Sequence, residues 1–299
     1  MDKLKAMEIY VRIVEAGSLT AAAERLDTSL SAVVRALAGL EGELGVRLLN
    51  RTTRRTALTE EGREYFDRAK RILAEVSDAE AALSAGQEPR GRLSITAPTM
   101  FGRLHVMPVV AAFMARYGQV QVDLSLLDRA VDLLEEGIDV AVRIGQLADS
   151  SLVALPLGET PRLFCASPAY LARHGTPRRP GELLRHACIV PNSAAHWSEW
   201  EFQRRGKVEK IQPAASFRTN QMEVALAACV AGIGCGRFLG YQAATALERG
   251  ELVRLLQEWE PPAAPVSIAF PHARLMSSRV RTFVDFAAPA LKARLAAGR

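Results

Sequence analysis

The sequence predicts an α/β chain with an all-α head that carries a helix-turn-helix and a two-stranded wing, on three observations. Short helical stretches fill most of the first ninety residues, broken by a single hairpin signal. From Arg92 onward, apolar strands alternate with amphipathic helices, the pattern of βαβ units built around a sheet. At 299 residues, 49% of them hydrophobic and 24% charged, the chain has the length of about two globular domains.

Within the head, Leu4, Met7, Val11 and Val14 recur at steps of three and four and predict a helix over Lys3–Ala16, with Gly17 placed to end it as a left-handed cap. Ser18 is a natural N-cap for the short helix LTAAAERL, whose three alanines permit close helix approach. The turn LDTS leads to Ser29, a second N-cap, and to a third helix ending at Leu44. On that helix Val33, Leu37, Leu40 and Leu44 form one stripe, and Ser31, Arg35, Ala38 and Gly42 fall opposite. A slim surface of hydroxyls and arginine, backed by an apolar stripe, suits the DNA major groove.

The next segment, VRLLNRTTRRTALT, reads as two short strands around a polar turn. Arg47, Arg51, Arg54 and Arg55 place four positive charges in nine residues without an acid, suited to phosphates or a narrow minor groove. For Arg47 an ion pair with Glu41 or Glu43 is the alternative. Overall charge is no guide: residues 1–90 hold 14 Lys and Arg against 15 Asp and Glu, and the remainder holds 24 against 18.

Thr59, Glu60 and Glu61 open a long helix. Its residues Tyr65, Ala69, Ile72, Val76, Ala79 and Leu83 alternate steps of four and three, a narrow seam of coiled-coil type that needs a partner helix. A second copy is the expected partner, giving a homodimer that doubles the contacts to DNA; docking on the chain's own domain is the alternative. The stretch SAGQEPRG, residues 84–91, is a linker. The expected division is therefore a DNA-binding domain over 1–59, a dimerisation helix over 60–88 and an α/β domain over 89–299.

The α/β part reads as RLSITAP, the helical LHVMPVVAAFMARY, VQVDLSLL, AVDLLEEG as a second helix, and DVAVRIG. A second set follows: LFCAS, ACIVPN, AASFRTN, the helix QMEVALAACVAG and GIGCGRF, then VSIAFP and the helix VRTFVDFAAPALKARL. Gly232, Gly234 and Gly236 follow a helix, the wrong context for a dinucleotide loop. Strand ends that face a cleft are the expected lining of a small-molecule site. Thr99, Met100 and Phe101 would offer backbone N–H groups at a helix start, and Asp128, Arg143, Asn192, Thr219, Asn220 and Phe238 lie at other strand ends. Arg143 interrupts an apolar strand and must escape the core, into the cleft or into an ion pair with Asp128 or Asp139. A carboxylate-bearing effector is the expected ligand.

No run approaches the roughly 20 apolar residues that span a bilayer, and MDKLKAMEIY lacks the apolar core of a secretory signal; a cytoplasmic protein without membrane contact is expected. Cys165, Cys188, Cys229 and Cys235 show no C-x-x-C spacing and read as core residues. His105, His174, His186, His196 and His272 show no metal spacing, and G-x-S-x-G is absent. No enzyme, metal or cofactor is expected.

The run MEIYVRIVEAGSLTAAAERL, then S-x-S-A-V-x-R-A-L-A-x-L-E, L-G-V-R-L-L-x-R-T-T-R-R and L-T-E-x-G, closely resembles the winged helix-turn-helix of LysR-type transcriptional regulators. APTMFGRLHVMPVVAAF, VDLLEEGIDVAVRIG and LFCASPAYLARHGTPRRPGEL are similar to that family's effector-binding region. The resemblance implies a type 2 periplasmic-binding-protein-like domain of two subdomains, here 92–161 with 268–299 and 162–267. It also implies crossings near Pro161–Leu163 and Pro265–Ile268, with the last strand and helix returning to the first subdomain. Homotetramers made of paired dimers, double-stranded promoter DNA, a small-molecule effector and RNA polymerase are the implied partners. On this sequence the DNA contacts fall to Ser29, Leu30, Ser31, Val34, Arg35, Arg51, Arg54 and Arg55. Arg35 is the expected reader of guanine, a surface phosphate contact or ion pair being its alternative. The chain departs from the family pattern at Leu30, Val34 and Gly39, which favours apolar contacts such as a thymine methyl over hydrogen bonds.

Overall fold

The computed structural model describes residues 2–52, 55–83, 88–146, 152–192, 199–271 and 276–297. The chain divides into two compact units, Met1–Gln87 and Glu88–Arg299.

In the first unit α1 (Lys3–Ala16), α2 (Leu19–Arg25) and α3 (Leu30–Leu44) precede a hairpin of β1 (Leu49–Thr52) and β2 (Arg55–Leu58), and α4 (Glu60–Leu83) ends it. Each of the first three helices starts on a side-chain oxygen: Asp2, Ser18 and Ser29 accept from the N–H groups of Lys5, Ala21 and Ala32. Such caps stabilise by about 1 kcal/mol each. Gly17 and Gly45 end α1 and α3 at φ 72° and 70°, where a side chain would be strained. Tyr10, Ile13, Val33, Leu37, Leu40 and Leu48 are wholly buried in the core these elements share, each burial being worth roughly 1.5–3 kcal/mol.

The first half of the α4 seam already has a partner within the unit. Ala69 is buried against Met7 and Val11, and Tyr65 and Phe66 pack with Tyr10, at ring separations of 5.7 Å and 6.5 Å. Heptad spacing shows that a stripe needs covering but not by what, and α1 covers this part. Ile72 is 39% exposed; the side chains of Ala79 and Leu83 lie outside the described ones. The start of α4 is seated on the wing: the Gly62 N–H donates to Thr59 Oγ1 at 2.9 Å, and Tyr10 donates to the Gly62 carbonyl at 2.7 Å. A Cβ added at Gly62 would fall on the Leu48 carbonyl.

The second unit opens with β3 (Gly91–Ala97) and a helical run made of α5 (Thr99–Phe101), a π-helical turn (Gly102–Val106) and α6 (Met107–Arg116). Next come β4 (Val120–Leu126), β5 (Val140–Ile144), β6 (Leu152–Thr160), β7 (Arg162–Ala166), α7 (Pro168–His174), β8 (Cys188–Pro191), β9 (Trp200–Arg204), β10 (Lys207–Ile211) and β11 (Ala215–Thr219). The chain continues through α8 (Met222–Val230), β12 (Cys235–Leu239), α9 (Gly240–Glu248), β13 (Val253–Leu255), β14 (Ala264–Pro271) and α10 (Ser278–Ala297). Two five-stranded sheets result, in the orders β4-β3-β5-β14-β6 and β11-β8-β12-β7-β13. In each, four strands run in one direction and the fourth in the order, β14 or β7, runs against them. α10 returns to the first sheet, where Phe283 meets Phe113 of α6 edge-on at 5.1 Å.

Several sequence expectations change here. AVDLLEEG is a turn rather than a helix: Asp132 Oδ1 accepts from the N–H groups of Leu134 and Glu135, and Ile138 N–H returns to the Leu133 carbonyl, which closes the segment before a second turn of helix forms. The chain crosses between sheets at Pro161 and again over residues 256–263, so Pro265–Ile268 lie inside β14 of the first sheet. The hairpin of β9 and β10 carried no strong sequence signal, yet it buries Trp200 and Phe202 against Phe164, the two phenylalanines stacked at 4.1 Å. All four cysteines are buried and free. Burial pushes the thiols of Cys165, Cys188 and Cys235 up to about 12, so none is poised as a thiolate.

The two subdomains meet at the π-helical turn. His105 lies over Phe101 at 4.6 Å and edge-on to Tyr241 of α9 at 5.5 Å. Its Nε2 is buried without a partner, and burial, with the positive charge of Arg294 second, lowers its pKa below the ordinary 6.5.

Two outcomes follow from this packing. Gly62→Ala is expected to destabilise the first unit by about 1–3 kcal/mol through overpacking, read as a fall of several degrees in melting temperature; an unchanged melt would mean that the Leu48 carbonyl yields freely. For His105, protonation costs stability in the fold, so the loss begins as pH falls below 6.5 and grows until the lower folded pKa is passed. His105→Gln should flatten that acid limb in a series of melts and leave the mildly alkaline melt near wild type, with His186, also lowered by burial, keeping its own share. Identical acid limbs would show that His105 carries none of it.

Candidate nucleic-acid interface and ligand cavity

The face of α3 opposite its buried stripe is open. Ser31, Arg35, Ala38 and Gly42 are exposed, and Leu30 is 45% exposed at the helix start. Ser29 Oγ is engaged twice, accepting from Ala32 N–H at 3.2 Å and sharing a hydrogen bond of 3.0 Å with Ser31 Oγ. Its hydroxyl therefore shapes the helix start more than it offers a free group. Arg35 folds back, its Nε donating to the Ser31 carbonyl at 3.3 Å, and among the described residues its terminal nitrogens make no hydrogen bond. Val34 is half-buried, so it presents only part of its side chain.

The wing is anchored to the same helix by a residue that sequence reasoning considered only as an ion-pair partner. Glu41 Oε1 accepts from the N–H groups of Leu48 at 2.9 Å and Leu49 at 3.3 Å. Thr59 Oγ1 donates to the Arg47 carbonyl at 2.8 Å. Together these fix where β1 leaves α3. Arg51 pairs with Thr56 and Arg55 with Thr52 in the hairpin register; the side chains of Arg51 and Arg55, and Arg54 as a whole, lie outside the described residues. Arg47 is exposed.

In the second unit a cavity of about 800 Å³ opens between the two sheets. Asp128, Arg143 and Phe238 line it, as do Arg129, Arg162, Glu199, Glu201, Arg237 and Tyr241. Arg162 and Arg237 carry the signal that marked Arg143, an arginine inside an apolar strand, so the same reasoning would have found them. Glu199 and Glu201 flank the start of β9, which the sequence did not reveal.

The other expected lining residues sit elsewhere. Met100 is buried among Leu163, Met222 and Phe238, and Phe101 is wholly buried in the first sheet's core, because the first helical turn packs both side chains inward. Thr99 N–H donates to Asp128 Oδ1 at 2.9 Å, so the chain's own carboxylate takes the place at that helix start where an anionic ligand was expected. Asn192 N–H donates to the Thr219 carbonyl at 2.9 Å, and Gln221 N–H to Thr219 Oγ1 at 3.1 Å. Asn192, Thr219 and Asn220 thus gather where β8 and β11 end, apart from the cavity lining.

Most charges around the cavity are already paired. Arg129 forks onto Glu136 at 2.7 and 2.8 Å. Arg162 Nη1 donates to the Pro262 carbonyl, and Arg237 Nη1 to the Glu199 carbonyl at 2.9 Å. Burial draws the Arg237 pKa down to about 10, with Arg162 pushing the same way and Glu201 opposing. Arg143 makes neither of the ion pairs weighed for it: among the described residues its Nη1 reaches only the Arg129 carbonyl, at 3.4 Å, and its Nη2 is buried without a hydrogen-bond partner. Asp139 instead accepts from Ser94 N–H at 2.8 Å. Among the described residues no helix is long and apolar enough to cross a membrane.

Comparison with known proteins agrees with both halves. Residues 4–63 match the model of the bacterial regulatory helix-turn-helix protein, lysR family, and residues 86–292 match the LysR substrate binding domain. The chain is 37% identical over 289 residues to an HTH-type transcriptional repressor of Pseudomonas aeruginosa, covering 96% of this chain and 91% of that one. It is 37% identical over 286 residues to the HTH-type transcriptional regulator CrgA of Neisseria meningitidis serogroup B, covering 94% of each. Among solved structures it is similar to CrgA of Neisseria meningitidis, with a TM-score of 0.62 at 33% identity over 96% of this chain and 98% of that one. It is also similar to full-length AphB of Vibrio cholerae, at 0.61 and 27% over 95% and 98%. With both family models matched across most of its length, and with relatives 37% identical over nearly all of it, the chain belongs to the LysR family of DNA-binding transcriptional regulators.

Proposed function

We propose that this regulator selects promoter sequences with the exposed face of α3 and that a small molecule in the cavity of the second unit alters that binding. The observation that carries the first part is the division of α3: Val33, Leu37 and Leu40 are wholly buried, and Ser31, Arg35, Ala38 and Gly42 are exposed. A helix so divided presents base-reading groups without disturbing its own packing. Arg35 reads a base edge through its free terminal nitrogens, Leu30 and Val34 supply apolar contact, Ser29 and Ser31 shape the helix start, and Arg51, Arg54 and Arg55 follow the phosphates. The part of α4 beyond its contact with α1, beginning at exposed Ile72, pairs two copies, and pairs of dimers make a tetramer.

Regulation is a difference in affinity. A ligand that binds one arrangement of the two subdomains better than another can shift promoter binding by no more than that difference. Both subdomains contribute to the cavity wall, Arg143 from the first sheet and Phe238 from the second, so ligand contacts respond to their arrangement.

Retention of the gene's own upstream duplex in a gel shift tests this. Wild-type protein is expected to retain it as an oligomer, and Arg35→Ala to lose about 1–3 kcal/mol of discrimination against unrelated duplex. Arg51→Ala should weaken all sequences alike and reduce the salt slope by about 0.9. A monomer indifferent to the duplex, or unchanged sequence preference in Arg35→Ala, would overturn the assignment.

A further inference from the structure

Among the described residues, the cavity contains a cation whose nearby anion, Glu136, is already forked onto Arg129. Arg143 lies at the end of β5, half-buried, with Nη2 shielded and unpartnered and Nη1 held only by a long contact to a carbonyl. The nearby acids are committed elsewhere: Glu136 to Arg129, Asp128 to Thr99 N–H, Glu199 to Lys210 at 2.8 Å. A guanidinium remains charged in a protein, and a buried charge without a counter-ion is costly unless a partner arrives.

We infer that the ligand of this cavity is a monocarboxylate with an apolar body, its carboxylate held by Arg143. This deepens the reading of the cavity as the effector site and rests on it. The single charge follows from the balance around the wall, where among the described residues four arginines face three carboxylates, Asp128, Glu199 and Glu201. Glu136 and Lys210, just behind, offset each other. One positive charge is left, which a carboxylate neutralises and a phosphate dianion would exceed. The apolar body follows from Ile144 and Leu152 on one side and Phe238 and Leu239 on the other, within a volume of about 800 Å³ that suits a small metabolite. The anion does not sit at the start of α5, because Asp128 holds that place and would repel it.

The test is a calorimetric and thermal-shift series on the full chain with benzoate, phenylacetate and octanoate, each beside its neutral amide, and with phenyl phosphate. At least one acid is expected to bind and raise the melting temperature, and its amide is not. Arg143→Met, which keeps the stem and drops the fork, should weaken that acid at least tenfold, about 1.4 kcal/mol on the affinity scale, and should melt no lower than wild type in the absence of ligand. If Arg143→Met does not fold, Arg143→Lys takes its place, expected to weaken the acid by a smaller factor. The inference is overturned if the acids bind the variant and wild type equally, if the amides bind as well as the acids, if phenyl phosphate binds more tightly than any acid, or if none of the three acids binds at millimolar concentration. Amides that bind and change promoter retention would sink the anion and spare the effector site. An acid that binds through Arg143 without changing promoter retention would do the reverse.

Discussion

The antiparallel ladder between β6 and β14 is the constraint on which the second unit depends. Eight pairs run from Ala264 opposite Thr160 to Pro271 opposite Leu152, with one shift in register between Val266 and Ser267. β6 leaves this ladder for the other sheet through Pro161, and the chain comes back to it through residues 256–263, so both connections start from the same end of one strand pair. Arg162 Nη1 on the Pro262 carbonyl ties the two connections, and Gly240 N–H on the Pro161 carbonyl at 2.8 Å ties them to α9. Two sheets joined by adjacent segments can differ in their relative tilt with little change inside either one. Arg162, Pro261 and Ala264 from that junction also line the cavity, so a ligand held there would touch the part of the fold through which such a tilt would pass.

Charge organises the cavity as much as shape does. A partly buried arginine is costly unless its guanidinium finds acceptors, and around this cavity Arg129 takes a carboxylate while Arg162 and Arg237 take carbonyl groups. The fourth, Arg143, lies where the first sheet ends. The same logic applied to Asp128 removes the helix start from the ligand's reach, since its carboxylate already satisfies the backbone there. Residues that a strand-end argument treats as equivalent are thereby separated into some that brace the wall and one, Arg143, that makes no ion pair among the described residues.

In the first unit the stability and the exposed surface come from the same helix. Burying Val33, Leu37 and Leu40 orients α3 so firmly that its other side needs no support of its own and can be given over to small and polar residues. Glu41 places its carboxylate on the backbone of Leu48 and Leu49, so that the position of the wing is set by α3 itself. Tyr10, reaching the Gly62 carbonyl from α1, adds the start of α4 to the same assembly.

What the sequence determined by itself was local and periodic: the three helices with their serine and glycine ends, the division of α3 into a buried and an open side, most strands of the second unit, and the family through its dense motifs. These are legible because a helix face or cap depends on residues within a turn of one another. Tertiary structure decided the rest. It assigned Tyr65 and Ala69 to α1, turned AVDLLEEG into a single closed turn, sent Met100 and Phe101 inward, and paired Asp128 with Thr99, 29 positions away. A side chain's partner is whichever group the folded chain brings within hydrogen-bond reach, and that distance is a property of the packed elements and not of the spacing along the chain.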